Sequence, residues 1–267
     1  MKKLWRMICG PIFYIAVYPI SQMAALLLAV LTGALINADG INFGYNNDIY
    51  ALLGEAVRFS ARNVHIVLLA SMLFAFTLCL VFIHSRHERL REIVLRRKIS
   101  IISGAAVIAA ALGARLLVSA YMLAADSTAQ IPQTLIQYKE QLFFIGVLFA
   151  PVIEEFIYRA LLVRELNKMM PRAAAILVSA AAFALSHMML YQAVYTVFLG
   201  ILLAVVYSRL KSIYASVALH LTFNLSAVAE TTFLGVWGNA FIGMLLVIIA
   251  MAVILNRRLT YTGATSF

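Results

Sequence analysis

Two carboxylates, Glu154 and Glu155, stand side by side in the run PVIEEFIYRALL, residues 151–162, and Arg159 follows the second by four residues. Positions four apart share a helix face, whereas neighbours diverge by about 100°. Glu155 and Arg159 can therefore pair, while Glu154 points elsewhere and has no cation in its own helix. A carboxylate without a local cation in apolar surroundings has the character of a general base working near neutral pH. Two later stretches repeat the four-residue spacing. FALSH places Phe183 and His187 on one face, and HLTFN does the same for His220 and Asn224. Histidine can share a proton or bind a metal, and Asn or a protonated His can donate to a developing oxyanion.

Each piece has an ordinary reading. A lone Phe183 is typical core packing, a lone His or Asn in a span can bond a neighbouring helix, and Glu155 with Arg159 can be structural glue. Together they are harder to explain that way. A charge near a span centre costs about 2.5–3.5 kcal/mol, against about 0.3–0.6 kcal/mol returned by each Leu, Ile, Phe or Val. The helix carrying Glu154, Glu155 and Arg159 must be buried in a bundle, with its charges paired or wetted.

The elements that position these residues follow from composition. Of 267 residues 64% are hydrophobic and 12% charged, against roughly a quarter charged in soluble domains. The expectation is an all-α polytopic membrane bundle, one integral domain over residues 1–267, with the motif-bearing core at about 142–229. Apolar runs predict eight helices at 12–36, 64–84, 101–125, 142–163, 173–190, 193–208, 213–229 and 238–255. Breaks are expected at NADGINFGYNND (37–48), DSTAQIPQ (126–133) and TTFLGVWGN (231–239). The first run is too long for a signal-peptide core, so it is read as a retained span kinked at Pro19.

With eight spans, sixteen basic residues fall on one side: at the N-terminus, in the connection SRHERLREIVLRRKIS (85–100), around 164–172, at 209–211 and in the tail. Only Arg58, Arg62 and Lys139 fall opposite, while Arg115 and Arg159 lie inside spans. The positive-inside rule then puts both termini in the cytoplasm. The net charge of +10 is distributed over short loops and does not form the clustered face that nucleic acid requires. Cys9 and Cys79 form no pairing pattern. Depth along the helices places Glu154, His220 and Asn224 at similar levels and His187 further out.

In order and spacing, EEFIYR, FALSH and HLTFN resemble the signature motifs E-E-x-x-x-R, F-x-x-x-H and H-x-x-x-N of the CPBP family, the CAAX proteases and bacteriocin-processing enzymes, also called the ABI family. The resemblance covers roughly residues 149–226 and is to type II CAAX prenyl endopeptidases. It implies a glutamic-type intramembrane endopeptidase in which Glu154 and His187 activate water and His220 with Asn224 stabilise the oxyanion. Glu155, Arg159 and Phe183 would support them. The implied partners are the lipid bilayer and a membrane-associated protein or peptide substrate, lipidated substrates included. Glu154, His187 and His220 are acceptable zinc ligands by type, but H-E-x-x-H is absent and the resemblance favours a reaction without a metal cofactor. The alternatives are a zinc-dependent version, an ion-coupled transporter, or a non-catalytic immunity or scaffold protein. Short loops point to a bacterial plasma membrane.

Overall fold

A backbone in lipid must satisfy its own N–H and C=O groups, which a helix does within one segment. The computed structural model describes residues 2–36, 46–95, 97–125, 143–187, 189–227 and 234–260. Among these it is all-helical, without a strand. Helices α1 (Lys2–Ile36), α2 (Asn46–Arg62), α3 (Val64–Ser85) and α4 (Ile101–Ala124) precede a helical run at 143–166, termed α5. They are followed by α6 (Arg172–Leu185), α7 (Leu190–Leu210), α8 (Ile213–Ser226) and α9 (Gly235–Leu255).

Five of these are long and apolar enough to cross a membrane: residues 8–36 of α1, then α3, α4, α7 and α9. Their outer faces carry Leu28, Leu35, Phe198 and Trp237 exposed, as lipid-facing surfaces do. The three segments that carry the polar motifs, α5, α6 and α8, are outside this set. In α5 the apolar run is interrupted by charge, and α6 and α8 have only 14 residues each.

Several expected boundaries move. The first helix begins at Lys2 rather than 12 because the Trp5 and Met7 region is itself helix-compatible. Helix α2, expected as loop, packs on α1 at Ala56 and Phe59, where a Cβ on Gly33 would meet Ala56 Cα at 3.0 Å. Helix α6 ends at Leu185, five residues before the expected end. Helix α9 starts inside the expected break at Gly235, whose φ of +64° suits a residue without Cβ. The break at 126–133, residues 37–45 of the first break, 231–233 of the third and Lys139 lie outside the described residues.

The run α5 is not a plain α-helix. Ile145–Phe149 and Phe156–Val163 are π-helical and flank the α-helical Ala150–Glu155. Such widened turns are rare and concentrate at functional sites. The core gathers on this run, where Ile157, Tyr158, Leu161 and Leu162 are fully enclosed.

Candidate active site

The widened turns of α5 leave its polar side chains on two levels. Pro151 follows the first π turn, in which the Ala150 N–H bonds back five residues to the Ile145 carbonyl. The next bond of that series would join residue 151 to Gly146, but proline has no N–H to give. The Gly146 carbonyl is instead taken by Asn224 of α8, whose Nδ2 donates to it at 2.8 Å. A missing backbone donor in one helix thus fixes the amide orientation of a motif residue in another.

One turn further on, Glu154 is buried, 6% exposed. Its Oε1 accepts a hydrogen bond from the Tyr18 hydroxyl of α1 at 3.2 Å, and its Oε2 lies 3.8 Å from His220 Nε2. Glu155 points to the other side of the helix and is fully enclosed. It receives His220 Nδ1 at 3.0 Å and the Ser216 hydroxyl. Because a carboxylate only accepts, Nδ1 of His220 carries the proton and the ring presents Nε2 towards Glu154.

The expected Glu155–Arg159 pair is present, with Arg159 Nε 3.2 Å from Glu155 Oε2. The distance is that of an ion pair, yet none of the three guanidinium nitrogens makes an aligned hydrogen bond to a described residue. The guanidinium lies instead against the face of Phe183, with Cζ 4.7 Å from the ring centroid, a cation–π contact that strengthens when both partners are dry. The same ring meets His187, His220 and Tyr158 edge-on, with centroids at 4.9, 5.7 and 5.4 Å. Phe183 therefore packs at once against the cation and both histidines, which gives its place in the second motif a physical reason.

His187 reaches the site from the turn after α6 rather than from within a helix. Its Nδ1 bonds the Phe183 carbonyl at 2.9 Å, and Ser186 Oγ donates to the same oxygen at 2.7 Å. A carbonyl accepts only, so here too Nδ1 holds the proton and Nε2 is left as acceptor. Helix α6 is docked on α5 by Ser179, whose hydroxyl donates to the Tyr158 carbonyl at 2.9 Å. On its other side α7 comes close at Gly200, where a Cβ would lie 3.0 Å from Ala180 Cα and 3.2 Å from Phe183 Cδ1.

Glu154, His187, His220 and Asn224 line one cavity of about 350 Å³, together with Tyr18, Gly146 and Gln192. Glu155, Arg159 and Phe183 are absent from its lining and stand behind it. Among the described residues no group of three His, Cys, Asp or Glu side chains is placed to hold a metal, so Glu154, His187 and His220 are suitable by type without forming a ligand cluster. The sequence reading missed two members. Ser216 could have been found by extending the His220–Asn224 spacing back one turn. Tyr18 offered no comparable signal.

Residues 140–226 match the family model described as "Type II CAAX prenyl endopeptidase Rce1-like". No curated protein and no solved structure matches the chain. The match contains all three polar motifs and every cavity residue from Gly146 to Asn224. This integral membrane protein thus carries, at residues 140–226, an Rce1-like domain of the CPBP family of CAAX proteases.

Proposed function

We propose that the chain is an intramembrane endopeptidase that hydrolyses peptide bonds of membrane-associated protein or peptide substrates by a glutamate-activated water. The observation that carries this reading is the convergence of Glu154, His187, His220 and Asn224 on one cavity. Water held between Glu154 and His187 Nε2 gives a proton to the Glu154 carboxylate as its oxygen bonds to the scissile carbonyl carbon. The oxyanion so formed accepts from the Asn224 amide and from His220 Nε2 when that nitrogen is protonated. Glu154 returns the proton to the departing amine as the C–N bond breaks. Glu155, Arg159 and Phe183 hold the two histidines in place.

The reaction in this reading needs no metal. The chain crosses a bacterial plasma membrane eight times, with both termini in the cytoplasm: the five apolar helices supply five crossings and α5, α6 and α8 the others. Its substrates are CAAX-type proteins or maturing peptides.

The test compares the termini of membrane peptides from cells carrying wild type or Glu154→Gln, each with and without a chelator, alongside cleavage of a farnesylated CAAX peptide by purified protein. The new termini and peptide cleavage are expected to vanish in Glu154→Gln, to vanish in His187→Ala, and to persist with chelator. Retained cleavage by both variants overturns the reading, and loss on chelation alone transfers it to a metal-dependent protease.

A further inference from the structure

A second polar cavity, of about 230 Å³ and sharing no lining residue with the first, lies where the 85–100 connection meets the corner between α7 and α8. The connection is pinned there by two backbone bonds, Arg97 N–H to the Lys211 carbonyl at 3.0 Å and Ile213 N–H to the Leu95 carbonyl at 2.8 Å. Arg164, Arg172 and Lys211 line the cavity, with Asn167 and Ser208 as further polar groups and Glu92 as its one carboxylate.

The carboxylates near it have other partners. Glu92 faces Arg89 at 4.0 Å, and the Arg164 Nη1 is shared between Glu88 and Glu165. Arg172 and Lys211 have no carboxylate partner among the described residues.

One backbone feature adds to the positive potential. Arg172 is the first residue of the 14-residue helix α6, which has neither a side-chain cap nor an acidic residue in its first turn. A cation at an uncapped helix N-terminus adds to the positive end of the helix dipole, and an anion relieves both. Lys211 caps the C-terminus of α7 in the left-handed conformation, at φ +50°, where its charge offsets the negative end of that helix dipole. The Ser208 Oγ is buried without a hydrogen-bond partner among the described residues. Apolar side chains of Ile93, Leu95 and Val163 complete the lining.

We infer that this cavity binds a phosphate group, presented by an anionic lipid headgroup or as free phosphate, between Arg172, Lys211 and the N-terminus of α6. Basic pockets between membrane helices hold phosphate headgroups by this chemistry. The catalytic reading does not enter the inference.

The test uses the full-length protein in neutral phosphatidylcholine nanodiscs, titrated with phosphatidylglycerol or with inorganic phosphate. Native mass spectrometry reads bound lipid and a thermal melt reads ligand stabilisation. The charge-matched comparison is Arg172→Gln with Lys211→Gln against Arg91→Gln with Lys98→Gln, since all four side chains are exposed and only the first two line the cavity. The first double variant is expected to lose roughly tenfold or more in phosphatidylglycerol affinity, while the second keeps it. A rise in melting temperature with phosphatidylglycerol alone assigns the site to the headgroup, and an equal rise with inorganic phosphate assigns it to the free ion. Wild type that binds neither, or equal losses in both double variants, overturns the inference.

Discussion

At the scale of single residues, the proposed reaction depends on where the lone pairs of Glu154 point. Tyr18 and His220 approach different oxygens of that carboxylate, at 3.2 and 3.8 Å, so in the proposed mechanism Tyr18 positions the group and leaves Oε2 for the reaction. Tyr18→Phe removes one donor and no volume of the ring. A hydrogen bond to a charged group contributes about 1.5–3 kcal/mol, so kcat on the farnesylated peptide is expected to fall by about ten- to a hundredfold with KM little changed. A fall in KM-dependent binding alone, with kcat intact, refutes this role. The polar motifs were legible in the sequence because their members recur every four residues, as one face of a helix requires. Tyr18 was not, because it lies 136 residues from Glu154 in a helix whose composition marks no position as special.

At the scale of elements, the site is built by irregularities in otherwise ordinary helices. The π turn before Pro151 strands the Gly146 carbonyl, and Asn224 answers it. Pro151→Ala restores an N–H at that position, which competes for Gly146 and releases the Asn224 amide. Cleavage is expected to fall while the melting temperature holds or rises, a separation that simple damage to packing would not give. Gly200 supplies the opposite case. A Val there forces α7 away from Ala180 and Phe183, and overpacking of this kind costs about 1–3 kcal/mol. Melting temperature and cleavage are both expected to drop, because Phe183 carries the Arg159 and His187 contacts. The long apolar helices could be read from hydropathy, but these details could not. Helix α2 interleaves Glu55, Arg58 and Arg62 with its apolar residues, the end of α6 is marked by neither Gly nor Pro, and π turns leave no periodic trace.

At the scale of the whole molecule, five apolar helices accompany three segments too polar or too short to count among them, and charge clamps one end of the assembly. Glu165, at the last turn of α5, is 2% exposed and meets Arg86 of the connection after α3 at 3.5 Å, Arg164 at 3.3 Å and Lys168. Glu88 joins the same network through Arg164 and Arg86. The network ties the 85–100 connection to the end of the helix that carries Glu154, so its loss loosens the site from a distance. Burial alone would raise the Glu88 carboxyl, but the Arg164 hydrogen bond and the charges of Arg164, Arg86 and Lys168 outweigh it and hold the group below its ordinary value of 4.5. A carboxyl depressed on folding adds stability that is complete above its unfolded value and disappears as pH falls through the folded one. Wild type is therefore expected to keep the Glu88 contribution above about pH 4.5 and to lose it on further acidification. Glu88→Gln should be about 0.5–1 kcal/mol less stable at neutral pH, with a shallower acid decline. Thermal melts of both proteins from neutral pH down to about one unit below the ordinary carboxylate value measure the two curves. They should converge at the acid end, and parallel curves would show that Glu88 does not carry the linkage.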